Sequence, residues 1–109
     1  MSNITMLLLS PGGWADDAEA VTELNTRLGG LRPHSPGYWE LRNISDAAGG
    51  SKVPPALYAG ALNSLPFAEF AQVVAALPWS NPEEFQVMVM FDGDSRYKAL
   101  SLTDLRAWP

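Results

Sequence analysis

The first residues that could do chemistry form a glycine-rich turn near the N-terminus. Ser10-Pro11-Gly12-Gly13 follows the apolar run Ile4 to Leu9, and a loop of this kind between a strand and a helix binds phosphate through its backbone amides. The turn lacks the lysine and hydroxyl of a Walker loop, and Asp16 and Asp17 would repel an anion there. The sequence therefore favours a plain turn over an anion site.

Two aspartates near the C-terminus are the candidates for binding a cation. Asp92 and Asp94 flank Gly93 in the segment Asp92-Gly93-Asp94-Ser95. A hard cation needs about six oxygen ligands, and these two residues bring no acidic cluster and no closing glutamate with them. The same segment is typical of a hairpin turn in which glycine takes a positive φ. We therefore predict a turn, and no metal.

Acid-base or nucleophilic catalysis would depend on very few residues. His34 is the single histidine, it lies in a polar loop, and the chain contains no cysteine and no Gly-x-Ser-x-Gly motif. Glu83 and Glu84 are adjacent, but they are explained as acids at the start of a helix. We predict that the chain is not an enzyme and needs no cofactor. A catalytic dyad assembled from distant residues is the alternative.

Hydrophobic periodicity and turn formers predict the elements that position these residues. Ile4 to Leu9 has the pattern of a strand buried on both faces, and the helix that follows it is stopped by Gly29-Gly30. Ala56 to Asn63 fits a helix as well as a strand, and we interpret it as a strand. The predicted elements are strand Ile4 to Leu9, helix Trp14 to Leu28, strand Tyr38 to Ile44, strand Ala56 to Asn63, a helix from Pro66 to before Pro78, strands Phe85 to Phe91 and Tyr97 to Leu102, and a short helical turn capped by Thr103.

The order of these elements predicts one α+β domain over residues 1–109. It is β-α-β-β-α-β with a C-terminal extra strand, which is the order of a split β-α-β arrangement. In that arrangement two helices cover one face of a mostly antiparallel sheet. A chain of 109 residues is long enough to bury one core.

Charge narrows the classes of partner. The formal net charge is −5 at pH 7, which opposes binding to nucleic acid or to an anionic membrane surface and speeds encounter with a basic protein. The apolar run at the N-terminus is too short to span a membrane and lacks the basic flank of a signal peptide. We therefore predict a cytoplasmic protein whose partner is another protein, possibly a basic toxin or effector, with the oligomeric state left open.

Surface acids and one tryptophan are the predicted contacts for that partner. The acids of the first helix lie opposite or beside its apolar stripe, and no lysine among them neutralises their charge. A solvated acidic face that binds nothing is the alternative. The predicted partner-binding residues are Asp16, Asp17, Glu19, Glu23, Trp79, Asp92 and Asp94.

The sequence also predicts which tryptophans are exposed and which loop could bind a partner. Trp79 and Trp108 are flanked by prolines and polar residues, so we expect them to be partly exposed, and we expect Trp14 and Trp39 to lie in the core. Ser45 to Pro55 is polar and glycine-rich, which predicts a mobile segment and a candidate binding loop.

The segment Ala56 to Trp79 carries a resemblance to a class of known proteins. In it an apolar stretch leads through Asn63-Ser64-Leu65-Pro66 into a helix closed by Pro78-Trp79. This segment resembles small bacterial toxin-immunity proteins, as does the following strand pair, Glu83 to Leu102, with its acidic turn. The resemblance implies a stoichiometric inhibitor that masks a toxin active site. Because immunity families differ in fold, it carries over no functional residue.

Two other functions stay open at this point. One is a phage-encoded or host regulatory binding protein, such as an anti-defence factor, and the other is a small enzyme of unrecognised type. A neighbouring toxin gene would favour the immunity protein. A pocket joining His34 to two carboxylates would favour the enzyme.

Overall fold

The backbone folds into an antiparallel sheet with helices packed against it. The computed structural model describes residues 3–12, 17–31, 40–45 and 57–109, and all structural statements below refer to them. Their elements in chain order are β1 (Ile4–Ser10), α1 (Ala18–Gly30), β2 (Arg42–Asn43), β3 (Tyr58–Asn63), α2 (Phe67–Ala76), β4 (Gln86–Met90), β5 (Lys98–Ser101) and α3 (Leu102–Arg106).

The strand order is β2-β3-β1-β4-β5, and every neighbouring pair is antiparallel. β3 is inserted between β1 and β2, which α1 connects, and β1 is inserted between β3 and β4, which α2 connects. Two split β-α-β units are therefore interleaved, with β5 added at one edge. The predicted α+β fold, with its antiparallel sheet and extra strand, is confirmed.

Side chains that alternate along the strands form the core on one face of the sheet. In β1, Leu7 and Leu9 are buried, and they lie opposite Val89 and Val87 of β4. The same core contains Leu24 of α1 together with Phe70 and Val74 of α2, Leu28 of α1, and Leu102 and Leu105 of α3. The three helices therefore share this face.

The ends of α1 differ from the prediction. The structure describes α1 from Ala18 onward, whereas Trp14 lies outside the described residues. Gly29 and Gly30 do not stop the helix but form its last turn, which closes when the Leu31 amide donates to the carbonyls of Arg27 and Leu28. Leu31 packs against the core, so tertiary packing continues the helix through two residues of low helix propensity, up to Gly30.

β2 is shorter than predicted and depends on a helix side chain. The Asn25 amide nitrogen donates to the Leu41 carbonyl at 3.1 Å, and its oxygen accepts from the Leu41 amide at 2.9 Å. Asn25 thus holds the segment before β2 as a strand partner would. Leu41 packs so closely over β3 that a Cβ on Gly60 would lie 2.8 Å from its Cδ2 atom. Tyr38 and Trp39, the start of the predicted strand, lie outside the described residues.

Two local predictions around the C-terminal elements are wrong. The cap of α3 is Ser101 instead of Thr103, and it forms a capping box: its hydroxyl accepts from the Asp104 amide while the Asp104 carboxylate accepts from the Ser101 amide. Glu83 and Glu84 do not start a helix. They lie in the turn before β4, where the Glu84 amide donates to the Asn81 carbonyl.

A strained serine between β3 and α2 leads to a stability prediction. Ser64 has φ 60°, and its amide donates to the Asn3 carbonyl at 2.8 Å. A left-handed conformation costs a residue with a side chain about 1–2 kcal/mol, whereas glycine adopts it freely but loses more chain entropy on folding. We expect Ser64→Gly to raise the free energy of unfolding by about 0.5–1 kcal/mol. Urea denaturation measures this, with Ser64→Ala as the control that retains the strain. A midpoint for Ser64→Gly no higher than that of the alanine variant would contradict the prediction.

Candidate functional site

Several chain connections meet at one end of the sheet. Ser10, the last residue of β1, lies opposite Gln86 at the start of β4, which in turn lies opposite Ser101 at the end of β5. α1 follows β1, and α3 follows β5 directly. This topology places five acids of the described residues at the same end, which we call the acidic end: Asp17, Glu19, Glu83, Glu84 and Asp104.

Asp17 joins α1 to the connection between α2 and β4. Its Oδ1 atom accepts hydrogen bonds from the Ser80 amide at 3.0 Å and from the Ser80 hydroxyl at 2.8 Å. The residue is only 4% exposed, and its buried Oδ2 atom has no hydrogen-bond partner among the described residues. The prediction of an exposed Asp17 is therefore wrong, because the carboxylate turns inward to Ser80 instead of capping its own helix.

A surface cleft lies beside the contact between Asp17 and Ser80. Its volume is about 280 Å³. Apolar walls and two carboxylate-bearing residues surround it, and the lining residues are Asp17, Ala18, Glu19, Ala20, Pro78 and Ser80. Since Glu19 is exposed, its carboxylate adds negative charge near the buried Asp17.

Gly12 brings the end of β1 close to Glu84. Its φ is +89°, and a Cβ atom there would lie 2.5 Å from the Glu84 Cβ atom and 2.9 Å from the Glu84 backbone carbon and oxygen. Only glycine combines this backbone conformation with so close an approach. The position of Glu84 therefore depends on the absence of a side chain at Gly12.

Glu83 lines two further shallow clefts of about 310 and 290 Å³, and Glu84 lines the larger of them. Both glutamates are exposed, and within the described residues neither forms an ion pair. The Asp104 carboxylate is held by the capping box. Arg106 lines the smaller of these two clefts, so the lining of the three clefts contains five acids and one base among the described residues.

Three other predicted partner-binding acids, Glu23, Asp92 and Asp94, do not join this group. Glu23 forms an ion pair with Arg27 at 2.9 Å, with both side chains 49% exposed, so its charge is locally compensated. Asp92 and Asp94 follow β4 at the opposite end of the sheet. The Asp94 carboxylate accepts from the Phe91 amide at 3.1 Å, and Gly93 has φ +90°, which confirms the predicted turn. Asp16 lies outside the described residues.

Trp79 is buried, contrary to the prediction of partial exposure. It is 6% exposed, its ring centroid lies 4.7 Å from that of Phe85, and its Nε1 atom donates to the Val74 carbonyl at 2.8 Å. The carbonyls in the last turn of a helix lack regular helical partners. In α2 the Val74 carbonyl accepts from the Leu77 amide, and Trp79 adds a second hydrogen bond to it. Trp108 is partly buried, as predicted, with its ring centroid 4.7 Å from that of Phe67.

The sheet face away from the helices is apolar and half-exposed. We call it the open face, and it contains Met6, Leu8, Met88, Met90, Ala59 and Ala61. None of these side chains belongs to the core formed with the described helices. The prediction that β1 is buried on both faces is therefore wrong, because its side chains alternate between buried and half-buried and the described helices cover only one face.

The predictions for His34 and for most of the loop Ser45 to Pro55 fall outside the described residues, and they stay predictions. Ser45 is described, and its hydroxyl accepts from the Leu57 amide at 3.3 Å. In the described part of the chain, no group of three or more histidine, aspartate or glutamate side chains is arranged to hold a metal ion. None of the described helices has the length and apolar character needed to cross a membrane.

Some features of the site could have been recognised in the sequence, and others could not. The Ser101-x-x-Asp104 pattern is a capping-box signature that could have been recognised. No local signal pairs Asp17 with Ser80, because the two residues are 63 positions apart. Glu83 and Glu84 were visible as an acidic pair, but their proximity to the start of α1 depends on the sheet register.

Comparison of the chain with protein-family models, with curated proteins and with solved structures gives no match. The resemblance to small bacterial toxin-immunity proteins therefore stays a prediction.

Proposed function

We propose that the chain is a non-catalytic protein-binding inhibitor that binds a basic surface of its partner through the acidic end. The observation that carries the proposal is the concentration of five acids and one base around the three clefts at that end. Complementary charge of this kind raises the rate of association and selects among partners.

The contacts that hold these acids in place support a binding role. Asp17 is bonded to Ser80, Asp104 is held by the α3 capping box, and Glu84 packs against Gly12. A surface whose backbone is already ordered loses less conformational entropy on binding. The exposed carboxylates of Glu19, Glu83 and Glu84 therefore face the partner from an ordered backbone.

The proposed partner is a basic toxin or effector, and its neutralisation would be stoichiometric. This part of the proposal rests on the resemblance of Ala56 to Trp79 and of Glu83 to Leu102 to immunity proteins. Inhibition then needs only that the bound chain cover the partner's working surface. A regulatory protein captured in place of a toxin would favour the regulatory alternative.

The test begins with capture of the partner from native cells and its identification by mass spectrometry. We expect the triple variant Glu19→Gln, Glu83→Gln and Glu84→Gln to associate with the purified partner about tenfold more slowly, with a flatter salt dependence. Glutamine keeps the size of each side chain, and Asp17 is left unchanged because it is buried. Stopped-flow mixing at several salt concentrations measures both quantities.

A matched variant removes the same number of charges away from the acidic end. It carries Glu23→Gln, Asp92→Asn and Glu69→Gln, all at exposed positions. We expect this variant to associate at nearly the unmodified rate. Equal slowing of both variants would show a net-charge effect and overturn the assignment to the acidic end. Association insensitive to salt would overturn it too.

A further inference from the structure

We propose that the cleft beside Asp17 binds one arginine side chain of the partner. This inference rests on the proposed function and names a specific contact within it. The cleft is lined by Asp17, Glu19 and Ser80 on its polar side and by Ala18, Ala20 and Pro78 on its apolar side. An arginine has the corresponding two parts, an aliphatic stem and a charged planar head.

The buried carboxylate of Asp17 is the observation that indicates a donor is missing. Its Oδ1 atom accepts two hydrogen bonds from Ser80, whereas Oδ2 is shielded from solvent and has no hydrogen-bond partner in the part of the chain that the structure describes. Buried carboxylate oxygens are normally satisfied, because an unpaired one loses hydration without replacement. The α1 amides do not supply the missing donor, since Asp17 makes no side-chain cap bond.

Size and charge favour a guanidinium over water as the donor. The cleft of about 280 Å³ is far larger than the roughly 30 Å³ share of one water molecule. A guanidinium offers five N–H donors in a plane, which allows one edge to reach Asp17 while another reaches the exposed Glu19. Because Oδ2 is buried, binding requires the carboxylate to rotate until Oδ2 faces the entering donor, and the broad terminal torsion of aspartate permits such a rotation.

The closing experiment uses a small probe, so it does not depend on the partner. N-acetyl-arginine amide is titrated into the full chain labelled with ¹⁵N, and the amide signals of Ala18, Glu19 and Ser80 are followed. We expect saturable shifts at these positions. The neutral analogue N-acetyl-citrulline amide has nearly the same shape and should produce none. Absence of a saturable arginine shift, or equal shifts with citrulline, would overturn the proposal.

Two variants test the role of the cleft. Asp17→Asn keeps an oxygen for Ser80 but removes the charge, and it should weaken arginine binding by at least about tenfold. Ala18→Leu keeps the charge but fills the cleft, so it should also abolish the shifts. It keeps the test valid if Asp17→Asn fails to fold. Glu23→Gln, on the same helix but outside the cleft, should bind like the unmodified chain. Equal weakening by Glu23→Gln would show non-specific attraction and overturn the subsite.

N-acetyl-lysine amide separates a planar donor from a simple positive charge. We expect it to bind more weakly than the arginine amide, and equal affinity would overturn the assignment to a guanidinium. Failure of the subsite and failure of the proposed function are distinguishable. If the arginine shift is absent while the Glu19, Glu83 and Glu84 triple variant still slows partner association, only the subsite is wrong. If arginine binds but the triple variant has no effect, only the proposed function is wrong.

Discussion

Trp79→Ala is expected to lower the free energy of unfolding by about 3–5 kcal/mol, the range for removing a large buried aromatic side chain. The indole packs against Phe85 and donates to the Val74 carbonyl. Its removal leaves a cavity and takes away one of the two hydrogen bonds that the Val74 carbonyl accepts, the other coming from the Leu77 amide. Urea denaturation followed by far-ultraviolet circular dichroism measures the loss.

Trp79→Phe is the matched variant for the hydrogen bond. It retains an aromatic ring beside Phe85 but removes the Nε1 donor, and the Val74 carbonyl keeps its bond from the Leu77 amide. We therefore expect a smaller loss of about 0.5–1.5 kcal/mol, the range for one net hydrogen bond. The buried position of Trp79 would be contradicted if Trp79→Ala had the same urea midpoint as the unmodified chain but bound the partner poorly. That result would instead support the sequence-based prediction of an exposed partner-binding tryptophan.

Gly12→Ala is expected to lower the free energy of unfolding by about 2–4 kcal/mol. Two effects add: a left-handed backbone that disfavours a side chain, and a Cβ atom 2.5 Å from the Glu84 Cβ atom with Glu84 backbone atoms at 2.9 Å. Backbone atoms cannot rotate away as the end of a flexible side chain can. Urea denaturation measures the loss, which should appear as a lower midpoint with an unchanged m-value.

Gly93→Ala isolates the backbone contribution. Gly93 has nearly the same φ of +90°, but a Cβ there would meet nothing within 4 Å. We therefore expect a loss of only about 1–2 kcal/mol. Losses of equal size in the two variants would show that Gly12 is needed for its φ alone and that it does not approach Glu84 closely.

The existence and type of most elements were predictable from the sequence. The apolar run of β1, the spacing of Phe67, Phe70 and Val74 in α2, and the turn at Gly93 are local patterns, and the structure contains each of them. Their order was enough to predict a mostly antiparallel sheet in a split β-α-β arrangement, and the strand order came from the structure. Errors concentrate at boundaries: α1 runs through Gly29 and Gly30 because Leu31 packs on the core.

The candidate site was predictable only in part. The sequence identified Asp17 and Glu19 as acids that could bind a partner, but it grouped them with Glu23, which pairs with Arg27, and with Asp92 and Asp94 at the far end of the sheet. Glu83 and Glu84 were assigned to a helix start. Composition shows how many acids a chain has, but their grouping in space depends on strand register.

The sequence by itself determined the fold class, the acidic charge and the local turns, since each depends on residue type and short-range spacing. Only the tertiary structure decided that Asp17 turns inward to Ser80, that Trp79 is buried over Phe85, and that the described helices cover one sheet face and not the other. These features join residues far apart in the chain. A hydrogen bond between positions 63 residues apart forms because folding brings the two segments together, and neither segment alone carries a signal for the other.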